Sequence, residues 1–154
     1  DRLNFSDSFV NFIKNCNIDV LKIKNDTNAI VNCNGYVGSF LSNYGISTYT
    51  TTEVSVSDIV GYSNTNWDNK NILYLVNRMF SDSNIAGPYQ TKSNGFLEYE
   101  NSEQLYNAIY ESFKKEPIYV EQNSDGNYRI GQNGNHRYTL MKLLQLFFSF
   151  LYPS

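Results

Sequence analysis

His136 and Arg137 have the types and the setting to hold an anion. They follow Gly131-Gln132-Asn133-Gly134-Asn135, a loop with two glycines. They open a run in which Leu140, Met141, Leu143, Leu144 and Phe147 recur as one face of a helix. The first turn of a helix carries unpaired N–H groups and a partial positive charge. Gly134 lets the backbone take φ > 0 or come close to a ligand. Arg137 adds a planar fork of donors matched to phosphate or carboxylate, and His136 can donate as well. Together they describe a phosphate pocket at a helix start. No GK[ST] follows the glycines, so this is not a Walker-type loop. Each residue also has a plainer reading. Arg137 could pair with a nearby carboxylate, Asn135 could cap the helix instead of bonding a ligand, and Tyr138 could pack in the core instead of stacking on a base.

Acid–base candidates lie close by in sequence. Glu116 and Glu121 flank the segment Pro117-Ile118-Tyr119-Val120, and either could serve as a general base or end as a solvated strand terminus. Glu53 and Asp58 carry the same pair of readings. Arg78, on an apolar-rich helical stretch, could reach a second phosphate or make a surface salt bridge. His136 is the only histidine, so a Ser-His-Asp triad would have to use it, and no G-x-S-x-G elbow is present. Cys16 and Cys33 are far apart, with no CxxC and no histidine cluster. No metal site is expected from them; they read as small apolar residues or, in an exported chain, a disulfide.

The elements that must position these groups follow from local pattern. Ile118 to Val120 and Tyr128 to Ile130 are β-prone, and Asn123-Ser124-Asp125-Gly126-Asn127 between them is a turn signal, so a β-hairpin precedes the Gly134 loop. The order is strand, turn, strand, glycine loop, helix. Upstream, Ser102-Glu103-Gln104 starts a helix with Leu105, Ile109 and Phe113 inward, ending at Lys114-Lys115-Glu116 before Pro117.

Here the chain resembles a family. Pro117-Ile118-x-Val120, Asp125-Gly126-x-Tyr128-x-Ile130 and Gly134-x-His136-Arg137-Tyr138 look like the N-terminal domain of ParB and the sulfiredoxin fold, over roughly residues 102–147. In that superfamily these elements form a nucleotide-phosphate site. The resemblance implies nucleotide binding (CTP, ATP or ADP) with Mg²⁺, and Gly134, Asn135, His136, Arg137 and Tyr138 as the binding residues. If chemistry follows, it implies phosphoryl transfer or nucleotide hydrolysis. Sulfiredoxins carry a catalytic cysteine where this chain has Asn135, so sulfinic-acid reduction is not implied. ParB proteins read DNA with a helix-turn-helix domain that follows, and the present sequence ends soon after the signature helix. A free serine kinase of similar fold uses a glutamate as base; spacing alone does not choose between Glu116 and Glu121.

The remaining chain is read from its start. Phe9, Val10, Phe12, Ile13 and Cys16 form a helical stripe after Ser6, ending near Asn17. Val20, Leu21 and Ile23, then Ala29, Ile30 and Val31, predict a hairpin turning at Asn25 to Asn28. Val37, Phe40, Leu41 and Tyr44 predict a short helix closed by Gly45. Residues 48–56 are Thr-rich and predict a strand; Val54-x-Val56-x-x-Ile59 is similar to the family's early strand, which leads into a short helix. A loop at 64–68, a helix over 71–80, a long loop over 81–95 and a short strand over 96–99 follow. The expected fold is α+β: a small mixed sheet with packed helices over 48–154, and an N-terminal α/β extension over 1–47, with one continuous domain as the alternative.

Composition sets limits. The net charge is −3 over 154 residues, and no broad basic face is visible, which counts against a DNA-linked partition or nuclease factor. The hydrophobic share of 41% and aromatic share of 16% suit a packed core. The scattered asparagines reflect the coding bias of an AT-rich genome. The chain opens at Asp1 without an initiator methionine, as a fragment or processed product would. No leader is read there, and a cytoplasmic location is expected. The apolar run over 143–152 is shorter than the ~20 residues a membrane span needs. Phe147, Phe148, Phe150 and Leu151 form an apolar tail, read either as the last packed helix or as a face for a protein partner. That second option defines the rival reading, a non-catalytic interaction module.

Overall fold

The computed structural model describes residues 5–33, 53–81, 101–131 and 134–151. Helix α1 (Asp7–Cys16) starts where the Ser6 hydroxyl accepts the Phe9 N–H and ends at Asn17, whose φ of 57° is left-handed. Its buried stripe of Phe9, Phe12, Ile13 and Cys16 packs on α3 (Ile72–Ser81). Phe9 and Phe12 both meet the Phe80 ring, at 5.4 and 5.3 Å between centroids.

The expected hairpin over residues 20–31 is not formed. Val20–Lys24 is a short helix, α2, because the Asp19 carboxylate caps it by accepting the Lys22 N–H at 3.2 Å. Ile23 is buried while Leu21 is 64% exposed. One inward residue in a single helical turn looks the same in sequence as strand alternation, and the local cap decides between them. A 3-10 turn over Thr27–Ala29 leads to β1 (Ile30–Val31), which pairs antiparallel with β3 (Lys70–Asn71). Asn71 ties this corner together. Its amide donates to the carbonyls of Ile23 and Lys24, and its oxygen accepts the Leu73 N–H at the start of α3.

Of the strand expected over 48–56, residues 53–55 are not in a strand. Residues 48–52 lie outside the described residues, and Val56–Asp58 forms a 3-10 turn. The strand, β2, is Ile59–Tyr62. The turn therefore precedes the strand, the reverse of the order expected from Val54-x-Val56-x-x-Ile59. The buried residues explain the shift: Ile59 and Tyr62 face the core, while Glu53, Ser55, Ser57 and Asp58 are exposed. The helix expected over 37–44, the loop over 82–95 and the strand over 96–99 also lie outside the described residues.

Helix α4 (Ser102–Lys115) is capped by Asn101, which accepts the Gln104 N–H, with Leu105 and Ile109 buried. The hairpin forms with the expected turn and second strand, but its first strand lies two residues later than the expected Ile118–Val120. Strand β4 (Val120–Gln122) pairs antiparallel with β5 (Tyr128–Ile130), Glu121 opposite Arg129. The Asn123 side chain holds the turn by accepting the N–H groups of Asp125 and Asn127. Strand β5 also pairs in parallel with β2, giving a mixed sheet of order β2-β5-β4. Helix α5 (Asn135–Leu151) packs against α3 and α4.

The fold is thus mixed α+β with a small sheet and packed helices. The division expected at residue 47 falls among residues outside those described. Residues 5–33 pack on α3 and β3 and share a core with the later elements. No helix among the described residues is long and apolar enough to cross a membrane.

Cys16 sits in this core with its thiol pushed up from 9.0 to about 11 by burial. The unfolded chain releases that proton first, so between pH 9 and about 11 it binds fewer protons than the folded chain, and stability falls as pH rises. Cys16→Ala should flatten this part of the profile of urea midpoint against pH. Equal slopes in the two proteins would contradict the assignment.

Candidate functional site

Parallel strands β2 and β5 end together. The Ser63 N–H donates to the Ile130 carbonyl at 2.9 Å, and the Ser63 hydroxyl to the Gly131 carbonyl at 3.3 Å. Ligand sites in sheets with parallel strands gather beyond such carboxyl ends. The chain leaving β5 turns at Gly134 into α5. Gly134 has φ +117°, and a Cβ there would lie 2.5 Å from both Cβ and Cγ2 of Ile118. The glycine is thus required twice, by its backbone angle and by its contact with the Pro117-Ile118 segment. The first intrahelical bond runs from the Tyr138 N–H to the Gly134 carbonyl at 2.9 Å. The N–H groups of Asn135, His136 and Arg137 precede it, at the positive end of the helix. Trp67, from the loop after β2, meets the His136 ring edge-on at 4.8 Å beside this helix start.

Arg137 is held by α4. Its Nη1 donates to the carbonyl oxygens of Ser112 and Glu116, and the guanidinium lies over the Phe113 ring at 5.3 Å. It therefore caps the last turn of α4, a favourable place for a cation. Burial lowers its pKa, partly offset by the Glu116 carboxylate. Only Nη1 is engaged by hydrogen bonds among the described residues; Nε and Nη2 have no protein partner there.

Asn135 is the first residue of α5, so the capping position belongs to Gly134. Its carbonyl accepts the Thr139 hydroxyl, which in turn shares a hydrogen bond with the Tyr62 hydroxyl. Its side-chain Oδ1 is buried with no hydrogen-bond partner among the described residues. Tyr138 is 1% exposed and packs edge-on against Tyr62 at 5.4 Å. That geometry matches the packing reading and gives a base no ring face to stack on. Its hydroxyl is buried and likewise unpartnered, and burial raises its pKa.

The two glutamates separate. Glu121 is bound by Arg129 through both Nε and Nη2, at 3.1 and 2.8 Å. Glu116 is exposed at the end of α4, where its field reaches Arg137. Arg78 donates to the Asn66 carbonyl at 2.8 Å, bracing the loop that carries Trp67. Glu53 and Asp58 are exposed at the other end of β2.

Sequence reasoning passed over one polar cluster. Asp68 is 3% exposed, and its carboxylate accepts the N–H groups of Tyr62 and Cys33 and the Cys33 thiol. Cys33 lies against Gly61, where a Cβ would sit 2.5 Å from the Cys33 nitrogen and 2.7 Å from Asp68 Oδ1. Burial raises the Cys33 thiol, Asp68 adds to the effect, and Arg129 opposes it. Its signal in sequence was slight: an aspartate after the only tryptophan, and a glycine inside a strand. Among the described residues no three His, Cys, Asp or Glu side chains gather as a metal site would require.

Compared with protein-family models, with curated proteins and with solved structures, the chain matches none.

Proposed function

We propose that this chain is a ParB/sulfiredoxin-like nucleotide-binding domain that seats a phosphate at the first turn of α5. The observation that carries the reading is the state of Arg137. One guanidinium nitrogen is anchored on the α4 carbonyls, and the opposite edge, Nε and Nη2, has no hydrogen bond among the described residues. A fork fixed on one side offers the paired donors that bind an oxyanion bidentately. The backbone N–H groups beyond Gly134 add to it, and His136 stands at the same helix start.

The Asn135 Oδ1, without a hydrogen-bond partner among the described residues, would offer an oxygen to the hydrated Mg²⁺ that accompanies a nucleotide, or to an amino or hydroxyl group of the nucleotide itself. Mg²⁺, when bound, would neutralise phosphate charge. Phosphoryl transfer or hydrolysis would also need a carboxylate base. With Glu121 committed to Arg129, Glu116 is the better placed of the two candidates.

A thermal-shift panel of CTP, ATP, ADP and GTP with Mg²⁺ tests the reading. At 100 times its Kd a ligand stabilises by about 2.7 kcal/mol, an easily measured rise; a flat panel rejects the proposal. Arg137→Ala should weaken the best nucleotide about 10- to 100-fold, the worth of a charged hydrogen-bonding group. Unchanged affinity in a titration would discard the pocket.

The rival, a non-catalytic module docking through the aromatic tail, has less support. Phe147 is buried, and Phe148 packs against Tyr106 at 5.5 Å. DNA binding is disfavoured by the net charge of −3.

A further inference from the structure

We infer that Phe113 is a positioning residue for the anion site, holding the plane of the Arg137 guanidinium so that its unbonded edge faces a phosphate. The inference rests on the nucleotide reading above and deepens it. Arg137 comes from α5, but among the described residues its guanidinium is held from α4 and the Glu116 that follows it: the carbonyls of Ser112 and Glu116 at one nitrogen, and the Phe113 ring 5.3 Å from the guanidinium carbon. Hydrogen bonds at a single nitrogen leave the far edge of the fork able to swing. An aromatic surface against the guanidinium restrains it. Phe113 is itself anchored, half-buried in the core cluster and spaced at i+4 and i+8 from the buried Ile109 and Leu105. Partial burial strips water from the cation, where the attraction of a ring face for it is strongest.

The contact also gives the Gly-x-His-Arg start a reason to follow the helix before Pro117. That helix supplies the surface on which the arginine is set, and Ile118 supplies the contact that Gly134 accepts. The α4 end, the Pro117-Ile118 segment and the α5 start thus act as one unit.

The test is calorimetric titration of the full chain with inorganic pyrophosphate and, separately, with CTP and Mg²⁺. Phe113→Leu should weaken pyrophosphate binding about fivefold, Phe113→Tyr should restore it, and in an Arg137→Lys background the loss should shrink below about twofold. A merely structural role for the ring would lower affinity equally in both backgrounds. Unfolding midpoints establish that the variants are folded, and Phe113→Met carries the same comparison if Phe113→Leu is not. Wild-type binding with an unchanged Phe113→Leu affinity, or equal losses in the two backgrounds, overturns this inference and leaves the nucleotide reading standing. A wild type that binds neither probe overturns both.

Discussion

Gly134→Ala should cost about 2–5 kcal/mol of folding free energy, from a strained positive φ together with overpacking against a fixed neighbour. The neighbour is Ile118, whose Cβ and Cγ2 would both lie 2.5 Å from the new methyl group. Ile118 cannot retreat freely, since the following Tyr119 carbonyl is bonded to the Gly131 N–H at 2.8 Å. Gly126 supplies the control. It also has positive φ, +92°, but nothing lies within 4 Å of its absent Cβ. Gly126→Ala should therefore cost only the backbone term, about 1–2 kcal/mol. Urea denaturation of the two variants measures the difference. Equal midpoints would mean that the contact between the glycine loop and the Pro117-Ile118 segment does not hold the start of α5. On the nucleotide reading, Gly134→Ala also displaces the first turn of α5 and weakens binding in any folded protein that remains.

Asp68→Ala should be comparably damaging, about 3–5 kcal/mol, because it strands several buried donors at once. The carboxylate accepts the Tyr62 N–H at 3.0 Å and the Cys33 N–H at 3.2–3.3 Å, and the Cys33 thiol reaches it at 3.4 Å. Asp68 ties the end of β2 to the chain leaving β1, together with the Cys33 thiol, which also donates to the Tyr62 carbonyl at 3.3 Å. Asp68→Asn keeps an oxygen for the Tyr62 N–H but turns an amide NH2 group toward Cys33, so its loss should be intermediate. Two readouts apply, the urea midpoint and the rate at which Cys33 reacts with a thiol reagent. The rate should rise because the Asp68 carboxylate, which raises the pKa of the thiol, is gone. An Asp68→Ala protein within about 1 kcal/mol of wild type would show that the network is not what holds these segments together.

The pieces legible in the sequence share one property: their hydrogen bonds close within a few residues. Ser6 caps α1, the Asn123 side chain closes its own turn, and the spacing of Leu140, Leu143, Leu144 and Phe147 marks the buried side of α5. The misreadings turn largely on contacts from far along the chain. Residues 20–24 have β-branched composition, but the cap at Asp19 and the grip of Asn71 on their carbonyls, from 47 and 48 residues away, belong to a helix. Strand β2 was obscured by Gly61, which weakens a strand in isolation and is needed here because Cys33 and Asp68 occupy the space of a side chain. In the site, Arg137 could be placed at a helix start but not aimed, since its partners lie on α4.

By itself, the sequence determined the mixed α+β class, the hairpin before the glycine loop and the helix that carries His136 and Arg137. Periodicity and turn chemistry are local, and they survive being read one window at a time. Tertiary structure alone decided that β5 lies parallel to β2, that Arg137 rests on the Ser112 and Glu116 carbonyls, and that Asp68 meets the Cys33 N–H. Each of those depends on which distant segment a polar group meets once water is excluded, and no stretch of chain contains that partner.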